Sequence, residues 1–164
     1  MRIGHGYDVH VFSDDRRLIL GGVEIPFDKG LLGHSDADVL LHSVMDSILG
    51  AAGLGDIGKL FPDNDDSFKD ISSITLLDKV ISLVEGRGFS VGNIDCTVIM
   101  LKPKIASYTE EMRENIARHC HINPDRVNVK ATTEEGEGLG DKAAGAHCVC
   151  ILNESEGFFG GLFF

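Results

Sequence analysis

The sequence predicts an α+β fold, a two-layer sandwich in which a mixed β-sheet is covered on one face by helices. Three observations carry that expectation. Strand-like and helix-period segments are mixed along the chain. No internal repeat or long linker divides its 164 residues, a length that suits one domain and can bury about 70% of the unfolded surface. Hydrophobic residues at 43% and charged residues at 25% are ordinary globular values, which argues against global disorder.

The elements follow in chain order. Arg2 to Phe12 is extended, and Arg17 to Ile25 reads as a second strand with a bulge or bend at Gly21-Gly22. Gly30 to Gly33 is a loop. The clearest helix is expected from Asp36 to about Ala52, with Ser35 as N-cap and Gly53 as its stop. Asp36 and Asp38 suit its positive end. Val39, Leu40, Val44, Ile48 and Leu49 give the period of a core-facing helix. Gly55 to Asp66 reads as a loop, and a second helix as Ser73 to Glu85, closing near Gly86 and Gly88. A strand over Phe89 to Met100 is broken by Lys102-Pro103-Lys104. A third helix begins at about Ile105 or Ser107 and ends at His119. Asn123-Pro124-Asp125 is a turn. Val127 to Thr132 and Ala144 to Leu152 are strands, separated by a glycine- and acid-rich loop. One domain is therefore expected over 1–152, and a Phe/Gly-rich tail over 153–164. Four of the nine Phe residues fall in the final seven positions, a patch expected to pack into a groove of this chain or of a neighbour.

The formal charge of −11 argues against a protein that coats nucleic acid, since phosphate contacts need clustered Lys and Arg. No apolar run approaches the ~20 residues of a membrane helix, and the start MRIGHGYDVHVF does not read as a signal peptide. The expected compartment is the cytoplasm, or a plastid-type organelle if a transit peptide has been removed. Cys96, Cys120, Cys148 and Cys150 contain no CxxC pair and are expected to be reduced, packed thiols, with Cys148 and Cys150 on one strand face.

Several segments can carry chemistry. Asp8 and His10, two apart on a strand, project from one face. His42 lies on a helix face with Asp38 and Asp46, which are placed to orient its ring. Two imidazoles and a carboxylate form the ligand set of a catalytic zinc site. The spacing alone equally fits a solvated strand His and a hydrogen-bonded helix His. His34 and Ser35 sit at a helix start, where either an anion or ordinary capping uses the free N–H groups. The 55–65 loop can contact a polyol through Asp56 and Asp63 or simply be solvated. Thr132 and Thr133 before Glu134 and Glu135 suit a phosphate seat with a Mg²⁺-holding carboxylate, or an acidic surface loop. Lys102 and Lys104 offer cations, as any surface lysines do.

Three motifs taken together resemble one family. They are GHGYDVH at 4–10, GHSDADVLLHSVMDSILGAAGLGDIGKLFPD at 33–63, and NVKATTEE at 128–135. The chain resembles the 2-C-methyl-D-erythritol 2,4-cyclodiphosphate synthases of the non-mevalonate isoprenoid pathway from near its start to about Leu152. The resemblance implies a homotrimer with active sites between subunits. It implies a phosphorus–oxygen lyase that turns a cytidine diphosphate-linked methylerythritol 2-phosphate into the cyclic diphosphate and CMP. By position, it assigns zinc to Asp8, His10 and His42, and a second divalent ion, Mg²⁺ or Mn²⁺, to Glu135. His34 and Thr133 would stabilise the transition state. Asp8, Val9, His10, His34 and Ser35 would face the substrate, together with Asp56, Ile57, Gly58, Phe61, Pro62, Asp63, Asn64 and Asp65. Met100, Leu101, Lys102, Pro103, Lys104, Ile105 and Ala106 of the adjoining subunit, with Thr132 and Thr133, would hold the cytidine and its phosphates. Glu134, Leu139 and Lys142 complete the substrate set.

Three features depart from the family's usual pattern. Leu139 stands where Phe is usual, Lys142 stands where Arg is usual, and 134–141 is unusually acidic. Lys cannot reproduce a bidentate Arg contact. No partner is expected from nucleic acid or membrane. Two other classes compete with a synthase. A zinc hydrolase would share the ligands but take oxygen from water. A non-catalytic binding module would use the acidic loop and Phe tail.

Overall fold

The structure is a computed structural model that describes residues 1–62, 64, 68 and 70–155. Its centre is a five-stranded mixed sheet of order β4-β1-β7-β5-β6. Strand β1 (Arg2–Ser13) pairs antiparallel with β7 (Ala143–Glu154), from Arg2 against Leu152 to Val11 against Ala143. Strand β7 pairs antiparallel with β5 (Phe89–Ile99), whose register slips between Val91 and Asn93. Strand β6 (Val127–Thr132) runs parallel to β5, and the short β4 (Gly30–Leu31) forms the other edge. Helices α1 (Val39–Ala52), α3 (Ser73–Glu85) and α4 (Thr109–His119) enclose the core against one face, and α2 is a single turn over Ile57–Leu60. The expected α+β layering is what is found.

Glycines set how closely α1 approaches the sheet. A Cβ at Gly4 would collide with the Ser47 carbonyl oxygen, and one at Gly6 with that of Ser43. Bare backbone at both positions lets the helix lie directly on β1. Leu40, Leu41, Val44, Ile48 and Leu49 are buried beneath it, as are the inward Cys148 and Cys150. All four cysteines are free and buried. Burial pushes the Cys150 thiol up to about 11, which leaves that thiol unreactive.

Four expectations need correction. Arg17 to Ile25 is not one bulged strand but a hairpin of β2 (Leu18–Leu20) and β3 (Val23–Ile25). Gly21 and Gly22 both adopt positive φ, which reverses the chain rather than bending it. Helix α1 starts at Val39 rather than Asp36, because Ala37 is left-handed and Asp38, not Ser35, accepts from the Leu41 N–H. Ile57–Leu60 is helical rather than loop because the Asp56 and Asp46 carboxylates accept from the Lys59 and Ile57 N–H groups. The 30–33 segment contributes edge strand β4. Smaller shifts move the start of α4 to Thr109 and the limits of β7 to Ala143 and Glu154. The Phe-rich tail lies outside the described residues.

Among the described residues, nothing covers the sheet face away from the helices. Ile3 (72% exposed), Tyr7 (50%), Val11 (52%) and Val149 (44%) lie along β1 and β7 there. No described helix is long and apolar enough to cross a membrane.

Candidate active site

Strand β1 and helix α1 bring Asp8, His10 and His42 together. The Asp8 Oδ2 atom lies 2.9 Å from His10 Nε2 and 3.0 Å from His42 Nδ1, and the two ring nitrogens are 3.1 Å apart. One ligand atom from each residue lies within 4.8 Å of the others, the only such cluster of three among the described residues.

The backs of these side chains decide which atoms face the cluster. His10 Nδ1 donates to the Leu32 carbonyl at 2.8 Å, so the neutral ring turns its Nε2 lone pair inward. Ser73 Oγ donates to Asp36 Oδ1 at 2.5 Å and so has lone pairs left for His42 Nε2, 3.1 Å away. Ser35 Oγ sits 3.1 Å from the same nitrogen. His42 Nε2–H therefore points outward and Nδ1 is free for the cluster. The Val9 N–H occupies Asp8 Oδ1 at 2.9 Å and leaves Oδ2 for the imidazoles. Such outer partners fix tautomer and orientation at metal sites. Two unprotonated imidazole nitrogens and a carboxylate oxygen fit a divalent metal with one position open.

The electrostatics show that the cluster favours positive charge. Burial raises the Asp8 carboxyl, but the hydrogen bonds and charges of His10 and His42 outweigh it and hold the group well below the usual carboxylate range. Burial lowers His10, but Asp8 and the Leu32 carbonyl raise it overall.

The expected support of His42 by Asp38 and Asp46 is not what holds the ring. Asp38 is wholly buried and accepts from the N–H groups of Gly21, Gly22 and Leu41, while Asp46 caps α2. Burial first, and then the nearby Asp36 charge, push Asp38 up to about 6 against those bonds.

Two clefts surround the chemistry. The first, of about 240 Å³, is lined by Asp8, His10, His34, Ser35, His42, Ile57, Gly58 and Phe61, and also by Gly33, Phe68 and Leu76. Val9 points to the opposite face of β1 from Asp8 and His10. Asp56 is spent on the cap of α2, and Pro62 and Asn64 are not among the lining residues. Asp63 and Asp65 lie outside the described residues. Arg16 donates to the carbonyls of Gly33 and Ser35 and so clamps the segment that carries His34.

The second cleft, of about 350 Å³, gathers Met100, Pro103, Lys104, Ile105, Ala106, Thr132 and Thr133, with Thr109, Val129, Lys130 and Ala131 added. It shares no residue with the first. Leu101 and Lys102 do not line it. Glu134 and Glu135 form a left-handed turn after Thr133, whose Oγ1 accepts from the Glu135 N–H. The Leu139 side chain sits over Gly145 beside Val9, and Lys142 is exposed; neither lines either cleft.

Sequence reasoning missed Arg16, Asp36 as an orienting group, and Ser73. Ser73 lies 31 positions from His42, and only the fold joins them. The two Arg16 hydrogen bonds go to backbone carbonyls, which leaves no side-chain pattern to read.

Fold and site together define an α+β protein with a ready three-ligand cradle for a divalent metal. The sequence model of the YgbB family matches residues 1–153, and the chain belongs to that family. A 2-C-methyl-D-erythritol 2,4-cyclodiphosphate synthase of Trichlorobacter lovleyi is 56% identical over 154 residues, which span 93% of this chain and 98% of that protein. The bifunctional IspDF of Campylobacter jejuni superimposes with a TM-score of 0.89 at 42% identity, over 93% of this chain and 42% of that one. The Plasmodium falciparum IspF CDP complex superimposes with a TM-score of 0.81 at 35% identity, over 94% and 96%. The resemblance read from the three motifs therefore holds.

Proposed function

We propose that this enzyme converts 4-diphosphocytidyl-2-C-methyl-D-erythritol 2-phosphate to 2-C-methyl-D-erythritol 2,4-cyclodiphosphate and CMP in the non-mevalonate isoprenoid pathway. The observation that carries this reading is the convergence of Asp8, His10 and His42 at one cleft, in a chain whose full-length relatives bear the synthase name.

An oxygen of the substrate's 2-phosphate attacks the β-phosphorus. A new P–O bond closes the ring, and the bond from that phosphorus to the CMP oxygen breaks. No water enters, which makes the reaction a lyase reaction. The attacking phosphate is already ionised near neutral pH, so no general base is required. Holding the substrate folded exploits effective molarities of about 10⁵–10⁸ M, worth roughly 7–11 kcal/mol.

Asp8, His10 and His42 would hold zinc, and Glu135 would help hold Mg²⁺ or Mn²⁺. Such ions supply neutralisation of phosphate charge. His34 and Thr133 would position the phosphates and donate hydrogen bonds as charge moves to the leaving group. Lys104 adds a cation near the cytidine phosphates. Ile57, Gly58 and Phe61 would shape the seat of the methylerythritol.

We read the working form as a homotrimer. Two observations support this: the apolar strip of Ile3, Tyr7, Val11 and Val149 left exposed among the described residues, and a metal cleft and a nucleotide-type cleft with no lining residue in common. A neighbour's second cleft would then complete the first.

The test is CMP release from the cytidylated substrate in ¹⁸O-labelled water. The expected result is a cyclic product with no solvent oxygen. Solvent oxygen in the product would mean a hydrolase, and absence of CMP would mean a binding module.

A further inference from the structure

Residues 33–36 lie between β4 and α1 and belong to neither, yet Gly33, His34 and Ser35 line the metal cleft. A segment without a ladder of its own keeps its shape through bonds that come from outside it. We propose that Arg16 is a positioning residue that sets His34 against the substrate phosphates, an inference that rests on the cyclisation reading above.

Arg16 stands in the turn between β1 and β2. Its Nη1 donates to the Gly33 carbonyl at 3.1 Å and its Nη2 to the Ser35 carbonyl. One guanidinium thus spans the residues on either side of His34. The His34 carbonyl between them accepts from the Asp70 N–H at 2.9 Å, and the Asp36 N–H donates to the Ile71 carbonyl at 3.1 Å. Three successive carbonyls are therefore fixed, two of them by a single rigid fork. The turn that carries Arg16 is itself pressed into place. A Cβ at Gly30 would meet the Arg16 and Arg17 carbonyl oxygens, so the bare backbone of β4 lets that turn lie close. Arg16 does not line the metal cleft; it lines a separate surface hollow with Asp36 and Asp70. It reaches the chemistry only through the segment it holds.

The fork, and not the charge alone, carries the effect. Asp70 Oδ1 is 3.8 Å from Arg16 Nη1 and its side chain is 69% exposed, and surface pairs of that kind contribute little. The carbonyl bonds are charge-assisted and directional. A lysine offers one nitrogen and cannot reproduce a planar two-nitrogen grip. The metal ligands keep supports outside the segment, the Leu32 carbonyl for His10 and Ser73 for His42. Loss of Arg16 is therefore expected to move His34 and to leave the ion in place.

The test is a double-mutant cycle in the full-length, zinc-loaded chain, read by CMP release from the cytidylated substrate. Arg16→Gln and Arg16→Lys are each expected to lower kcat by up to about 100-fold, the cost of a displacement of about 1 Å, with little change in KM. Zinc content and CDP affinity should match the wild type, since Arg16 belongs neither to the ligand cluster nor to the second cleft. In a His34→Gln background the same substitutions should cost almost nothing further, because residues that act through one another are not additive. Equal losses in both backgrounds would make Arg16 merely structural and overturn the proposal. So would wild-type turnover in Arg16→Lys, or failure of both Arg16 variants to fold by circular dichroism. A His34→Gln chain with wild-type kcat would remove the role of His34 and this proposal with it, whereas a wild type that releases no CMP would overturn the reading of the reaction itself.

Discussion

The two faces of β1 each carry a histidine that meets another at 3.1 Å, yet the faces are built differently. On the inner face, His10 and His42 are gripped from behind by the Leu32 carbonyl, Ser35, and the Ser73–Asp36 pair, with Asp8 between them. On the outer face, His5 and His147 are steadied by each other and by Tyr7. The nitrogen–nitrogen separation is the same in both; what differs is the carboxylate between the inner rings and how fully tautomer and orientation are dictated. A metal site is specified as much by the far side of each ring as by the near side. Only the inner cluster joins three ligand atoms to partners that dictate their orientation.

The largest effect that tests this contrast is His42→Ala. It removes the only ligand from α1, and we expect loss of the inner zinc and of nearly all CMP release. Metal analysis and turnover read both, and a zinc-free preparation of the wild type with full activity would contradict the assignment.

Next in size is Gly6→Ala. Its Cβ would meet the Ser43 carbonyl oxygen, and over-packing against backbone costs about 3 kcal/mol. A urea unfolding curve checks this, and zinc affinity of the inner site should fall with it because that site spans strand and helix. Smaller again is Ser73→Ala. It leaves every ligand in place but releases the outward side of the His42 ring, and zinc affinity should fall about 10–100-fold, with folding preserved in the circular dichroism spectrum. Unchanged affinity would show that Ser35 suffices to hold the ring.

The same contrast explains what the sequence disclosed. The i, i+2 spacing of Asp8 and His10 puts both on one strand face, but spacing alone left a solvated strand His and a hydrogen-bonded helix His open, so the ligand trio was legible only through the three family motifs. Ser73–Glu85 and Val127–Thr132 were legible to the residue, because apolar period and flanking turn residues agree there. The start of α1 was not. Ser35, Asp36 and Asp38 are all good caps, and the choice among them falls to partners distant in sequence, since Asp38 is claimed by Gly21 and Gly22 and Asp36 by Ser73. The Gly21-Gly22 hairpin was misread for a related reason: a glycine pair allows bulge and reversal alike, and the buried Asp38 selects reversal. The outer pair was invisible because cross-strand register, not spacing, joins residues 5 and 147.

The smallest expected effect is on pH dependence, and it isolates the inner cluster. In the metal-stripped chain, the pKa of Asp8 is lowered from 3.8, so its contribution to stability is present above that value and is lost as pH falls through the folded-state value. The pKa of His10 is raised from 6.5, so its contribution is present below 6.5 and is lost as pH rises through the folded-state value. The two terms place a shallow stability maximum between them. Asp8→Asn removes the first directly. It also removes most of the second, because the Asp8 hydrogen bond and charge are the leading causes of the His10 rise. Urea midpoints measured across pH should therefore vary less in Asp8→Asn than in the wild type. His147→Ala, confined to the other face, should reproduce the wild-type curve. An Asp8→Asn curve parallel to the wild type would mean that the inner imidazoles are held by Leu32, Ser35 and Ser73 alone.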